Sequence, residues 1–325
     1  MGKFLRILKV VHFFIIAALL GTLLNGYIKP AAFPLLNLLS LAFPVLMLLN
    51  MLLILFWIFV QKKTALIFIL CSFFLIHPTR RWVNFSGKSQ ESGNLKIVTL
   101  NGHSGIMGEE VMISYLNSVH PDVVFFQESR FYKHENLELK DLKYRYKCFI
   151  VELHSKYEIL EAGPILDNPL QGSSFYADIK INGQKIRLVN VYLEPFRFNK
   201  KMLNSNVSIS TVGRFMNTFE NIFLVHQGQV NMIKKFLDES PYPVILAGDF
   251  NAVPNSYEYY HLGKDLKDVF MERGNGISSS FHDYKFPIRI DYVFCSRDIN
   301  PVSYKVDRSV KISDHFPVIA EFKID

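Results

Sequence analysis

The chain has 325 residues, 50% of them hydrophobic, and a formal net charge of +7, a size that allows one large domain or two ordinary ones. The positive charge lies early: residues 1–88 hold nine of the 36 basic residues and no acid, so residues 89–325 carry 27 bases against 29 acids, about −2. The later part therefore lacks the net basic footprint of a polyanion-binding groove, and Cys71, Cys148 and Cys295 show no metal-site spacing.

Val10–Leu24, extended back to Phe4, and Phe33–Val60 are each long enough to cross a bilayer. Pro44 would tilt or kink the second. Ala65–Ile76 is only about a dozen residues, short for a span. With Thr64, His77 and Trp82 at its edges it reads as a short third span, the alternative being a buried or interfacial helix. No small-x-small cleavage site follows the first segment and more apolar segments do, which argues against a removed signal peptide. Lys3, Arg6, Lys9, Lys62 and Lys63 flank the spans on one side, and Lys29, Arg80 and Arg81 on the other. The more basic side is cytoplasmic by the positive-inside rule, so three spans place the rest of the chain outside the cytoplasm and two keep it inside. The expectation is a multi-pass membrane segment over residues 1–85, a polar linker over 86–95, and an extracytoplasmic domain over 96–325.

Lys96–Asn101 reads as a strand ending at an amide. Glu109–Val119 has apolar residues at helical spacing, closed by Pro121. Val123–Glu128 is a buried strand ending at a carboxylate, and a weaker strand is expected near Lys147–Leu153. Ser174–Ile181 and Lys185–Leu193 form a hairpin about Asn182-Gly183, with Tyr192 near its end. Residues 196–211 look irregular, and Phe215–Leu237 reads as a long amphipathic helix ending before Pro241 and Pro243. Val244–Gly248 is apolar or small throughout, a strand buried on both faces whose tip delivers Asp249 and Asn251 to one rim. A Gly/Ser-rich loop over Gly274–Ser280, a strand over Arg289–Cys295 and a last strand over Val318–Ile324 complete the chain. Helices and hairpins alternating within about 235 residues suggest one α/β domain with two packed sheets.

Asn101, Glu128, Asp249, Asn251, Asp291, Asp314 and His315 all fall at or beside strand ends, where ligands and chemistry collect in α/β proteins. Singly, each has a plain structural reading. Gly248-Asp-Phe-Asn251 fits an ordinary turn, Glu128 a solvated loop acid, His315 a satisfied core histidine, and Ser313-Asp-His315 a cap. Asp291 differs, because a carboxylate inside an apolar run is costly unless paired.

Six motifs carry a resemblance: Thr99-Leu-Asn101, Phe126-Gln-Glu128, Val189-Asn-Val-Tyr192, Gly248-Asp-Phe-Asn251, Ile290-Asp-Tyr292 and Ser313-Asp-His315. In this order the chain resembles the endonuclease/exonuclease/phosphatase (DNase I-like) superfamily, and in overall look its membrane-anchored bacterial members. The resemblance implies a four-layer α/β/β/α sandwich and a divalent-metal-dependent phosphohydrolase, most of all a phosphodiesterase. Hydrolysing a phosphodiester needs charge neutralisation, an activated water and leaving-group stabilisation, and hard oxygen donors suit Mg²⁺ or Mn²⁺. By the resemblance, Glu128 is the principal metal ligand, with Asn101 close by and Asp314 a second carboxylate on the metal side. Asp249 orients or deprotonates the water, Asn251 holds a phosphoryl oxygen, and His315 donates to the phosphate, paired with Asp291. Tyr192 departs from the many members that have histidine there; its hydroxyl either donates to the phosphate or simply packs. Glu194, Phe196, Arg197 and Phe198 follow on the same rim, either as candidates for substrate recognition or as an aromatic loop that simply packs. The implied substrate is a lipid phosphodiester, a nucleic acid or a small phosphate ester, with the bilayer as the other partner and no protein partner indicated. The rival reading is an inactive phosphate- or headgroup-binding module on the same fold.

Overall fold

The computed structural model describes residues 2–87, 89, 91–129, 139–166, 172–196, 209–283 and 287–325. Three apolar helical segments come first. α1 (Gly2–Gly21) runs into a 3-10 turn ending at Gly26, and α2 is Pro34–Val60. α3 (Lys62–Ser72) continues through a 3-10 turn into α4 (Ile76–Arg80). Gly2–Gly26, Pro34–Val60 and Lys62–Arg80 are each long and apolar enough to cross a membrane. The third has 19 residues, more than its apolar stretch predicts, because Lys62–Thr64 and His77–Arg80 extend the helix at both polar ends. One polar chain ties the segments together. Trp57 Nε1 donates to His12 Nδ1 (3.0 Å), His12 Nε2 meets Asn50 Oδ1 (2.9 Å), and Asn50 Nδ2 donates to Ser72 Oγ (3.0 Å). Satisfying polar groups between helices is the usual glue where no water competes.

The rest of the chain supplies β1 (Val83–Phe85), β2 (Leu95–Asn101), α5 (Glu109–Val119) and β3 (Val123–Gln127). β4 (Tyr144–Cys148), β5 (Val151–Ser155), β6 (Ile159–Leu166), β7 (Ser173–Ile181) and β8 (Gln184–Tyr192) follow. Then come α6 (Ile209–Asp238), β9 (Val244–Asp249), α7 (Tyr257–Leu262), β10 (Lys267–Asp268) and α8 (Val269–Arg273). β11 (Asn275–Ile277), β12 (Asp291–Cys295), β13 (Asn300–Val306) and β14 (Val318–Lys323) end it.

One six-stranded sheet has the order β13-β14-β2-β3-β5-β4 and the other β10-β12-β9-β8-β7-β6, while β1 and β11 make a two-stranded ribbon. Each large sheet has one parallel pair, β2–β3 or β8–β9, at its centre, because a helix (α5 or α6) intervenes and returns the chain in the same direction. The facing sheets bury Phe125, Phe175, Ile245 and Phe322 between them. Met112 and Leu116 of α5 cover the outer face of the first sheet. Val230 and Ile233 of α6, with Tyr257 and Leu262 of α7, cover the other. The result is the expected four-layer sandwich.

Several elements depart from the sequence reading. The weak strand at 147–153 is the hairpin β4–β5, bent at Phe149 with φ +55°. The sequence reading has no strand at β6 or β13, both edge strands with register shifts: β6 contains Gly163 and Pro164, while β13 alternates at Val302, Tyr304 and Val306 and was missed. α6 begins at Ile209, earlier than Phe215. The Gly/Ser-rich loop holds β11, which pairs with the chain leaving the third apolar helix.

Candidate active site

Both parallel pairs end at one rim. Asn101 lies opposite Gln127, and Tyr192 opposite Asp249. β12 is antiparallel to β9, so its first residue, Asp291, faces Asp249. β14 is antiparallel to β2, so the loop before Val318 brings Asp314 and His315 to the same place.

Local geometry at the β9 tip is set by Gly248. Its φ is +140°, and a Cβ there would stand 2.0 Å from the Val191 carbonyl oxygen, so only glycine allows β8 and β9 to approach this closely. Asp249 Oδ1 then accepts the Asn251 N–H at 2.8 Å, stabilising the left-handed turn at Asn251 (φ +46°). Phe250 is buried, stacked on Phe294 and tilted against Tyr292, which keeps the turn from swinging out.

The side chains join into one set. Asn101 Nδ2 donates to Asp249 Oδ2 (3.0 Å) and to Glu128 Oε1 (3.2 Å), and the Tyr192 hydroxyl donates to the same Glu128 oxygen (2.9 Å). Glu128 Oε2 accepts no hydrogen bond from a described residue. The His315 ring lies between two carboxylates, with Nδ1 2.8 Å from Asp291 Oδ2 and Nε2 3.9 Å from Asp249 Oδ2. Asn251 reaches back to the β8 exit, its Nδ2 donating to Leu193 O (2.9 Å). Asp314 is turned elsewhere, towards His103 Nδ1 (3.0 Å) and the Ser313 hydroxyl (3.1 Å). It connects to the set through His103, whose backbone N–H donates to Asn101 Oδ1 (3.0 Å).

The charges follow from burial and proximity. Burial pushes Asp249 up to about 7, with His315 opposing and Asp291 adding to the rise. Burial alone would lower His315, but Asp291, by charge and hydrogen bond, together with Asp249 and Asp314, reverses this and holds it up to about 10. Burial, then the Glu128 and Asp249 charges, push Tyr192 far above the usual phenol range, so it stays a donor.

Donor atoms of Asp249, Asp291 and His315 lie within 4.8 Å of one another, close enough for a cation by distance alone. The chemistry argues otherwise: a ring held protonated by Asp291 has no lone pair for a metal and already offsets one of the two carboxylates. Glu128 is the better candidate, half-buried with one oxygen held by Tyr192 and Asn101 and the other without a donor among the described residues. An all-oxygen donor set of this kind fits a hard divalent ion.

Of the recognition candidates, Phe196 packs on Phe219, Phe223 and His226, and Glu194 donates its backbone N–H to Gln229 Oε1 (3.2 Å). Arg197 and Phe198 lie outside the described residues. The sequence reading missed His103, although it stands two residues past Asn101. It also missed the Gln127–Asn190 hydrogen bond (2.7 Å) that ties the two sheets beneath the site; both residues sit inside the quoted motifs, but only the facing of the sheets brings them together.

A family model described as the Endonuclease/Exonuclease/phosphatase family matches residues 110–315. A second model, described as a domain of unknown function, matches residues 5–82. No curated protein matches the chain by sequence. Among solved structures, a D. rerio TDP2 humanised by 14 mutations is 18% identical with a TM-score of 0.52, covering 71% of this chain and 99% of its own. A mannosyl-6-phosphatase from Bacteroides thetaiotaomicron is 18% identical with a TM-score of 0.51, covering 71% of this chain and 100% of its own. At this identity the likeness concerns the fold.

Proposed function

The chain belongs to the endonuclease/exonuclease/phosphatase family, and on that premise we propose that it is a membrane-anchored, divalent-metal-dependent phosphodiesterase working by attack of water. The observation that carries this reading is the single hydrogen-bonded set of Asn101, Glu128, Tyr192 and Asp249, with the His315–Asp291 pair against Asp249. Glu128 would hold Mg²⁺ or Mn²⁺, with Asn101 beside it and Asp314 contributing from behind His103. Such an ion, when bound, supplies charge neutralisation at the phosphate.

The chain's own groups account for the other requirements. Asp249, raised towards neutrality by burial, can take a proton from the attacking water. Asn251 offers its second amide N–H to a phosphoryl oxygen, since the first is fixed on Leu193 O. His315, kept cationic by Asp291, donates to the charge that develops on the phosphoryl group. Tyr192 offers a phenol in place of the family's usual histidine.

The architecture favours a membrane-borne substrate. Residues 1–85 form the anchor, 86–95 a linker and 96–325 the catalytic domain in this reading. The rim packs on the anchor. Val253, two residues past Asn251, and Ile290, next to Asp291, are buried in one cluster with Ile16, Leu19, Phe43 and Trp57. Phe281 packs on that cluster and stacks edge-on against His315, with ring centroids 4.8 Å apart. A headgroup phosphodiester at the bilayer surface would have the shortest path to such a site, and tethering raises its local concentration. With three spans and a cytoplasmic N-terminus the domain is extracytoplasmic.

The test is a substrate panel on the full chain: a bis-aryl phosphodiester, plasmid DNA, RNA, vesicle-borne sphingomyelin and phosphatidylinositol phosphates, and a phosphomonoester, each with Mg²⁺, Mn²⁺ or chelator. Metal-dependent cleavage of a lipid phosphodiester is expected; no hydrolysis of any substrate overturns the reading. A reporter active only outside the cytoplasm, fused after Asp325, should be active, and a silent fusion overturns the topology.

A further inference from the structure

Glu258 and His226 are both fully buried and take no part in the chemistry above. Their contacts form a continuous path from the second apolar helix to the active-site rim. Asn37, in the first turn of α2, directs Nδ2 at both Glu258 oxygens (3.1 and 3.0 Å) and accepts the Tyr257 N–H at Oδ1 (2.7 Å). Glu258 Oε1 is 2.8 Å from His226 Nδ1, and His226 Nε2 is 2.7 Å from the backbone oxygen of Glu194. Both ring nitrogens face acceptors, so a ring carrying both protons satisfies both. The path then reaches the rim: the peptide before Glu194 carries Leu193 O, which accepts Asn251 Nδ2 (2.9 Å), and Leu193 N–H donates to Asp249 O (3.1 Å).

We propose that Asn37, Glu258 and His226 are positioning residues that make the second membrane helix a structural part of the active site, orienting the Asn251 amide through the Leu193–Glu194 backbone. Asn251 acts in the role assigned to it in the proposed function, and the inference rests on that reading for its catalytic consequence only.

The chemistry of the path explains why each member is needed. A carboxylate excluded from water is costly unless its oxygens are satisfied. His226 and Asn37 are the side chains that do so, and Asn37 comes from the membrane segment. Without Asn37, Glu258 loses a donor it cannot replace with water. His226 then loses its fixed orientation, and the Glu194 carbonyl its anchor. Asn251, held by the adjacent carbonyl, turns with it. Other contacts at the same junction bypass this path. Asn25 Nδ2 and Ser40 Oγ both donate to Asn255 O (2.9 and 2.7 Å), and Arg81 Nη1 donates to Asn255 Oδ1 (2.8 Å). They hold the two parts together without touching the Leu193–Glu194 peptide.

The experiment uses the full chain in lipid nanodiscs with Asn37→Leu, Asn37→Asp, Glu258→Gln and, as the junction control, Ser40→Ala. Backbone hydrogen exchange over residues 191–196 and the kcat and KM for a soluble bis-aryl phosphodiester are read together. For the Asn37 and Glu258 variants, exchange over 191–196 should rise at least about tenfold while β7 stays protected, with kcat down at least about tenfold and KM within about twofold. Ser40→Ala should leave both readouts at the native values. Unchanged exchange over 191–196 in either Asn37 variant overturns the proposal, as does faster exchange with kcat unchanged, or an equal effect in Ser40→Ala. Rescue of the kcat of Asn37→Leu by restoring a donor, as Asn37→Gln, supports it. If the native chain hydrolyses nothing, the phosphodiesterase reading fails while the exchange data still decide the positioning.

Discussion

His315 Nδ1 lies 2.8 Å from Asp291 Oδ2, and both side chains are almost wholly buried. Each explains the other: Asp291 is the acid that an apolar strand could not tolerate alone, and His315 is the cation that a buried loop could not tolerate alone. The pairing also fixes which edge of the ring faces Asp249.

The pH dependence follows with a definite sign. His315 is raised from 6.5 to about 10 in the folded chain, so its pairing contributes stability in full below about 6.5 and loses it as pH rises through about 10. Activity that needs the charged ring should fall on the same alkaline side. Asp291→Asn removes the carboxylate that raises the ring, so the alkaline limb should shift to lower pH and kcat should fall about 10²-fold. A pH–rate profile of the two proteins checks this; an unmoved alkaline limb would contradict it.

Glu128→Gln keeps an acceptor for Tyr192 and Asn101 but removes the charge. Mg²⁺ or Mn²⁺ affinity should drop at least about tenfold, with the melting temperature held within a few degrees. Titration calorimetry on the full chain measures the first and a thermal melt the second. Native-like ion binding in the variant would move the metal away from Glu128.

Tyr192→Phe should preserve packing, since the ring is only 3% exposed. It deletes the one hydroxyl proton, which goes to Glu128 Oε1 in this structure and would turn to the phosphate when substrate binds. A fall in kcat/KM of about 10² is expected for a lost donor to developing charge, without loss of ion binding. Unchanged kcat/KM would reduce Tyr192 to a packing residue.

How much of this was legible beforehand depended on whether the signal was local. The strand tips at Asn101, Glu128 and Asp249 could be read because each ends a run of buried residues at a polar one, and the Asn182-Gly183 turn because its φ values of +50° and +89° suit those residues. Asp291 could be expected to have a partner, though only the family order pointed to His315. The edge strand β6, with Gly163 and Pro164, left no alternation to read, whereas Val302, Tyr304 and Val306 of β13 do alternate and the strand was missed. His226 and Glu258 are 32 residues apart in sequence and pair through tertiary packing with Asn37, 221 residues from Glu258; nothing in a linear pattern marks such a meeting.

Gly248→Ala should be severely destabilising. The added Cβ would meet the Val191 backbone, which is held in β8 on both sides and cannot retreat. The expected cost is about 3 kcal/mol or more, seen as a melting temperature lowered by at least about 6 °C for a domain of this size. A native-like melt would mean that β8 and β9 are not paired as described.

Asp268 and Arg289 carry the last prediction. Arg289 is fully buried and makes two hydrogen bonds to Asp268 (2.8 and 2.7 Å) and one to the Arg81 backbone oxygen (3.1 Å). Its guanidinium lies against the rings of Phe270 and Tyr292. It therefore fixes the start of β12, two residues before Asp291, to the exit of the third apolar helix. Asp268→Ala leaves this cation buried without its counter-ion, a change that typically costs about 3–5 kcal/mol. It also removes the acceptors used by the Tyr259 hydroxyl and the Phe270 N–H. Arg289→Met in the same chain takes away the stranded charge, so the double variant should melt higher than Asp268→Ala alone. A double variant no more stable than the single one would show that the cost lies in the Tyr259 and Phe270 contacts and not in the ion pair.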